Sequence, residues 1–204
     1  MAEGHIRFRK KTIMILTENK KAIGVSVNPY KVDYNSWPLD WLANYIEKRQ
    51  RRSLTVISEA MKRKPGLINS MHRNCNSYLP QIMTLFNESI KRLFDHMKKE
   101  EAGLFPFIRE LINAKELNKG VNRLAFVKVE ALILRLNEDH NRENQRLKLI
   151  TQRKKSYTSL DTHSKMHKAL FITLRDFQED LELHIYLQSK FLFPKIISMK
   201  YDAA

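Results

Sequence analysis

Apolar residues recur at alternating intervals of three and four along most of this chain. That is the spacing of one buried stripe on an α-helix. The first stripe reads Leu39, Leu42, Ile46, Gln50, Leu54, Ile57 and Met61. Trp37-Pro38 precedes it, and proline suits a first helical turn. Lys64-Pro65-Gly66 ends it. The second reads Ile82, Phe86, Ser89, Leu93, His96, Glu100, Gly103 and Phe107, with Asn76 or Ser77 as cap and Pro80 in the first turn. Pro106 falls inside this stripe and predicts a kink. The third reads Phe126, Val129, Ile133, Leu136, His140, Glu143, Leu147 and Ile150. The fourth reads Leu170, Leu174, Phe177, Leu181, His184, Gln188 and Phe191, with Asp161 as its cap. Residues 67–77 form a connection, and 114–121 a short turn around Gly120. Four long amphipathic helices with short connections predict an all-α fold, an antiparallel up-down four-helix bundle over residues 34–200. Residues 1–33 form a basic N-terminal arm, with Thr12–Leu16 and Val25–Val27 as short strands or an extended segment.

The polar residues on these stripes carry the chemistry. His96 and Glu100 stand four apart, on one helical face, just before Leu104-Phe105-Pro106. The phrase returns as His184 and Gln188 before Leu192-Phe193-Pro194, with an amide in place of the carboxylate. In both copies the Leu-Phe-Pro run begins eight residues after the histidine, as a duplicated helix pair would have it. Counting back 44 residues from His184 reaches His140, and counting back 45 from His96 reaches Arg51, beside Gln50. A complete template would therefore hold a histidine near 51 and a glutamate at 188.

Bundle cores hold metal sites on side chains from facing helices. Iron(II) and its neighbours accept imidazole nitrogen and carboxylate oxygen. His96, Glu100, His140 and His184 supply three imidazoles and one carboxylate, enough for one divalent ion. Gln188 offers only a neutral oxygen, and Arg51 stays protonated and cannot ligate. Arginine for histidine and glutamine for glutamate together add two positive charges, which balances the loss of one divalent ion. On that count Arg51 pairs with Glu100 in a vacated half-site. The main stripe of the first helix passes through Gln50, however, which turns Arg51 about 100° away from it. Loss of both metals, leaving a polar-cored bundle, is the alternative.

Composition narrows the classes. Only 5 Gly and 6 Pro in 204 residues fit long helices, and a single cysteine, Cys75, excludes an internal disulfide and fits a reducing compartment. No run nears the roughly 18 apolar residues of a membrane span. The early Ile13-Met14-Ile15-Leu16 run is too short for a signal peptide, so a cytoplasmic location is expected. The formal charge of +15 admits a nucleic-acid or anionic-surface partner, with Arg49, Arg51, Arg52, Lys62, Arg63 and Lys64 as the patch. No nucleic-acid motif, nucleophile motif or Gly-rich phosphate loop is visible. His5, His72, His163 and His167 fall in the arm or near connections, and Glu101 faces about 100° away from Glu100, toward solvent.

At His96-Met97-Lys98-Lys99-Glu100-Glu101, Leu104-Phe105-Pro106, Asp139-His140 and Asp180-Leu181 through His184-Ile185 to Leu192-Phe193-Pro194-Lys195, the chain resembles the hemerythrin-like (HHE) di-iron proteins of the repair-of-iron-centres family. Pro38-Leu39 and Tyr45-Ile46 are similar to that family's opening helix, and the likeness covers about residues 34–197. The resemblance implies a non-haem iron bundle that restores iron–sulfur clusters damaged by nitric oxide or oxidants. It carries His96, Glu100, His140 and His184 over as metal ligands and damaged iron–sulfur proteins as partners. Arg51 and Gln188 depart from its ligand pattern, and residues 1–33 hold no counterpart of its cysteine-bearing N-terminal module. Three readings follow: a stress-related, metal-dependent repair protein with one iron (two and none being the other counts), a metal-free binding or sensory bundle, and a basic nucleic-acid binder.

Overall fold

The computed structural model of this chain describes residues 28–62, 78–158 and 165–202. Among them every regular element is helical, so the chain is all-α in its described parts. Two 3₁₀ turns, Pro29–Lys31 and Tyr34–Ser36, lead into α1, Leu39–Lys62. A second helical stretch comprises α2 (Tyr78–Lys99), a π turn (Glu100–Leu104) and α3 (Phe105–Glu116). The third is α4, Arg123–Thr158. The fourth comprises α5 (Lys165–Leu187), a second π turn (Gln188–Leu192) and α6 (Phe193–Asp202). The four stretches pack as a helical bundle, α2 lying along α4 and α1 along both α5 and α3. The expected strands, His5, His72, His163, Lys64-Pro65-Gly66 and Asp161 lie outside the described residues, as does the side chain of His167.

The apolar stripes become the core. Leu42, Ile46, Leu54, Ile57, Ile82, Phe86, Leu93, Phe126, Ile133, Leu136, Leu147, Leu174, Phe177 and Leu181 are all buried. They form two separate clusters. One gathers Tyr34, Trp37, Leu42, Tyr45, Ile46, Leu104, Phe105, Ile133, Leu136, Leu187 and Phe193. The other gathers Leu54, Ile57, Ile82, Phe86, Leu93, Met97, Leu147, Ile150, Leu174, Phe177 and Leu181. Between them, on all four stretches, lies a buried polar layer of Gln50, His96, Glu100, His140, Glu143, His184 and Gln188. Along α1 and α4 the chain passes from the first cluster to the second; along the second and fourth helical stretches it passes from the second to the first.

A π turn lies immediately before Pro106, where a kink is expected. Phe105 donates its backbone N–H to the Glu100 carbonyl, five residues back. Phe193 does the same to Gln188 before Pro194. Proline lacks the N–H that an α-helix needs and its ring crowds the carbonyl four residues back; widening the preceding turn relieves both. Each π turn adds one residue to the stripe. After Glu100 the buried residues are Leu104, Phe105, Phe107, Ile108 and Leu111, so the expected Phe107 is buried but Leu104 takes the place of Gly103; after Gln188 they are Leu192, Phe193 and Ile196, and the expected Phe191 is only partly buried. In the first π turn a Cβ on Gly103 would come 2.7 Å from Leu132 Cδ2, so the close approach to α4 uses a residue without a side chain.

The turn after α3 also differs from expectation. α3 continues to Glu116, so the turn begins later than residue 114, and Asn118 takes the left-handed conformation within it (φ 50°). Lys119 N–H bonds to Ala114 O at 2.8 Å, which closes the helix end. Asn122 then caps α4, its Oδ1 accepting from Leu124 N–H at 2.8 Å.

Candidate metal centre

Each helical stretch brings one turn of its stripe to the polar layer. His96 and Glu100 come from α2 and its π turn, His140 from α4, and His184 from α5; all are buried, Glu100 completely. Their inner atoms converge. His96 Nε2 lies 3.3 Å from His140 Nε2, 3.4 Å from His184 Nε2 and 3.2 Å from Glu100 Oε1. His184 Nε2 lies 3.6 Å from the same carboxylate oxygen. The three histidines can each offer one nitrogen with all of them within 4.8 Å of one another.

These separations fit a shared cation. Two donors each about 2.1 Å from one ion stand about 3.0 Å apart at a right angle and about 3.4 Å apart at the tetrahedral angle. The donor chemistry fits as well. Glu100 Oε2 and Gln188 Oε1 are buried and find no partner among the described residues, so oxygen lone pairs remain open beside the nitrogens. His96 Nδ1 faces Asp139 Oδ2 at 3.6 Å and His140 Nδ1 faces Ser189 Oγ at 3.3 Å. A proton held on each Nδ1 by these groups leaves Nε2 free to donate its lone pair.

Electrostatics reinforce this. Burial, with His184 and His96 adding to it, pushes the His140 imidazole down to about 2. Burial also outweighs the attraction of Glu100 and takes His184 down to about 4. Both rings are therefore neutral at physiological pH, the form that binds a metal. Burial opposes charge on His96 too, but the Glu100 and Asp139 carboxylates outweigh it and raise its value. Burial would raise Glu100, yet His184, His96 and the Gln188 amide hold it below the usual range.

The two substituted positions have different fates. Gln188 is fully buried and donates a hydrogen bond from Nε2 to Glu100 Oε1. Arg51 does not reach Glu100. It is exposed and pairs with Glu47 at 2.8 Å and with Glu101, at the surface, at 3.0 Å. The α1 residue in the polar layer is Gln50, 5% exposed, because the 3–4 stripe fixes which side faces inward while counting from the repeat slips by one. Sequence reasoning gave no outer role to Asp139 or Ser189; Asp139 adjoins His140, which was the available signal.

A cleft of about 160 Å³ leads to the three histidines and is also lined by Arg92, Asp95, Lys99, Asp139, Arg142 and Glu143. Those six cancel in formal charge, three cations against three carboxylates, and Lys99 Nζ bonds to Asp139 at 2.7 Å. The cluster is thus accessible to molecules of a few atoms, with no strong field of either sign at its entrance.

No family model matches the chain. It is similar to the iron-sulfur cluster repair protein YtfE of Yersinia pseudotuberculosis serotype IB (strain PB1/+), 25% identical over 172 residues that span 81% of this chain and 69% of that protein. The YtfE protein of Yersinia pestis (strain Pestoides F) is similar to the same extent, 25% over 81% of this chain and 69% of its own length. No helix among the described residues is long and apolar enough to cross a membrane.

Proposed function

We propose that this chain is a hemerythrin-like non-haem iron-binding protein of the iron–sulfur cluster repair type, with a one-metal site held by His96, His140, His184 and Glu100. The observation that carries it is the convergence of three imidazole Nε2 atoms and Glu100 Oε1 in a buried layer, at ligand-to-ligand separations. The fold is an antiparallel up-down bundle spanning residues 34–200, preceded by a basic arm over 1–33. The opposite order of the two apolar clusters along neighbouring stretches supports that arrangement. The likeness to YtfE supports the repair function; damaged iron–sulfur proteins as partners, a nitric oxide or oxidant stress context and a cytoplasmic setting belong to the same proposal.

When bound, iron supplies Lewis acidity and one-electron chemistry at the end of the cleft. The chain's own residues do the rest. Asp139 and Ser189 orient His96 and His140 through Nδ1, Glu100 supplies the counter-charge, and the Gln188 amide shields that charge where a second carboxylate would double it. A metal-free binding bundle is the second reading, favoured by that Gln188–Glu100 bond, which satisfies part of the carboxylate without any ion.

Metal stoichiometry tests this directly, by elemental analysis and absorption spectroscopy on untagged protein from iron-supplemented cells. About one iron per chain is expected. A well-folded protein without metal, unable to take up iron(II) or zinc, would overturn it in favour of the metal-free bundle.

A further inference from the structure

His96 and His140 each have a polar group at Nδ1, but His184 does not. Its Nε2 faces His96 and Glu100, while its Nδ1 is buried with no hydrogen-bond partner among the described residues. A second set of buried polar atoms shares this condition: both amide atoms of Gln50 and Nε of Arg49. The three residues are not scattered. His184, Gln50 and Arg49 line one cavity of about 20 Å³ between α1 and α5. Leaving a buried polar group unsatisfied is destabilising, and here several would be left together. A cavity needs roughly 10–15 Å³ and two to four polar partners to hold a water. This one has the volume, and three of its lining residues carry buried polar atoms without a partner among the described residues.

We infer that this cavity holds one ordered water joining His184 to Gln50, and that Gln50 is a positioning residue for His184. The water accepts from His184 Nδ1–H and from Arg49 Nε–H and donates to Gln50 Oε1. With its proton held on Nδ1, His184 keeps a lone pair on Nε2, the atom turned toward His96 and Glu100. Gln50 thus does for His184, through water, what Asp139 does directly for His96. The effect on metal affinity rests on the function proposed above; the tautomer of His184 is a property of the chain alone.

The test compares wild type with Gln50→Met, which keeps the length and removes the acceptor, and with Gln50→Glu, which keeps an acceptor. Nitrogen-15 NMR of the imidazoles reads the tautomer in metal-free protein, and calorimetric titration with Zn²⁺ reads affinity. The expected result is a single Nδ1–H tautomer of His184 in wild type and Gln50→Glu, a mixture in Gln50→Met, and a 10- to 100-fold weaker zinc affinity for Gln50→Met than for wild type. A space-filling role would leave the tautomer unchanged in Gln50→Met, and that result overturns the inference. So does a high-resolution crystal structure of wild type with that cavity dry, a measurement that needs no variant to fold. Failure of wild type to bind zinc would defeat the metal reading, while the tautomer comparison would still decide the role of Gln50.

Discussion

Gln188 donates its side-chain amide to the Glu100 carboxylate, and both residues are fully buried. Replacing Gln188 by Glu exchanges a donor for a second negative charge at hydrogen-bond range. Uncompensated buried charge costs about 3–5 kcal/mol, so metal-free Gln188→Glu is expected to lose roughly that much stability at pH 7 in denaturant titrations. The deficit should shrink on acidification, as one of the two carboxyls takes up a proton, and should also shrink with added divalent metal. A deficit that persists under both treatments would mean that the amide acts by shape alone.

The placement of Gln50 and Arg51 predicts which variant gains a metal. Gln50→His with Gln188→Glu adds an imidazole and a carboxylate to the buried layer, and elemental analysis should rise from about one ion per chain toward two. Arg51→His with Gln188→Glu should not rise, because position 51 faces solvent between Glu47 and Glu101. The reverse ranking would show that α1 is rotated from the orientation seen here.

Asp139 touches His96 Nδ1 and Lys99 but is not turned toward the cluster's inner atoms. Outer groups of this kind typically contribute 10- to 100-fold to metal affinity. Asp139→Ala should weaken zinc binding by about that factor. The melting temperature of the metal-free protein should change by only a few degrees, since the carboxylate is partly exposed. An unchanged zinc affinity would remove Asp139 from the site.

Acid should destabilise the metal-free protein before its carboxylates titrate. His140 and His184 have folded values of about 2 and about 4, below the ordinary 6.5, so the unfolded chain binds protons there that the folded chain refuses. His96 is raised, so it is protonated in both states below pH 6 and contributes no loss there. Two protons of difference give a fall of roughly 2.7 kcal/mol per pH unit between about pH 6 and 5. Urea titrations across that window check it, and a double His140→Gln, His184→Gln variant should flatten the slope.

Much of this was legible in the sequence because burial leaves a period. The 3–4 stripes named the core of all four helical stretches, and the inward turn of His96, Glu100, His140, His184 and Gln188 followed from the same rule. What the period could not carry was a change of phase. Pro106 and Pro194 announce disturbance, but a π turn is one added residue in a stripe that already mixes threes and fours, so burial falls on Leu104 and Leu192 rather than on Gly103 and Phe191, while Phe107 stays buried. Arg51 failed for a related reason. Counting by repeat assumes equal connections in both halves, whereas the local stripe needs no such assumption and pointed to Gln50. Asn118 takes the left-handed conformation in the turn before Gly120, which asparagine tolerates, and the turn's residue types alone do not say which one adopts it.

The buried polar layer cuts the hydrophobic interior into two slabs, with Phe86 and Phe177 below it and Tyr34, Tyr45 and Phe193 above. Each slab has its own aromatic anchor. The layer is thus a seam at which the four helices are joined by directed bonds rather than by close-packed hydrocarbon, and an ion gripped from three helices would fasten it like a rivet. The two ends of the protein are then expected to open separately, with amide hydrogens of α3 and α6 exchanging together and those of the N-terminal part of α2 and the C-terminal part of α4 together.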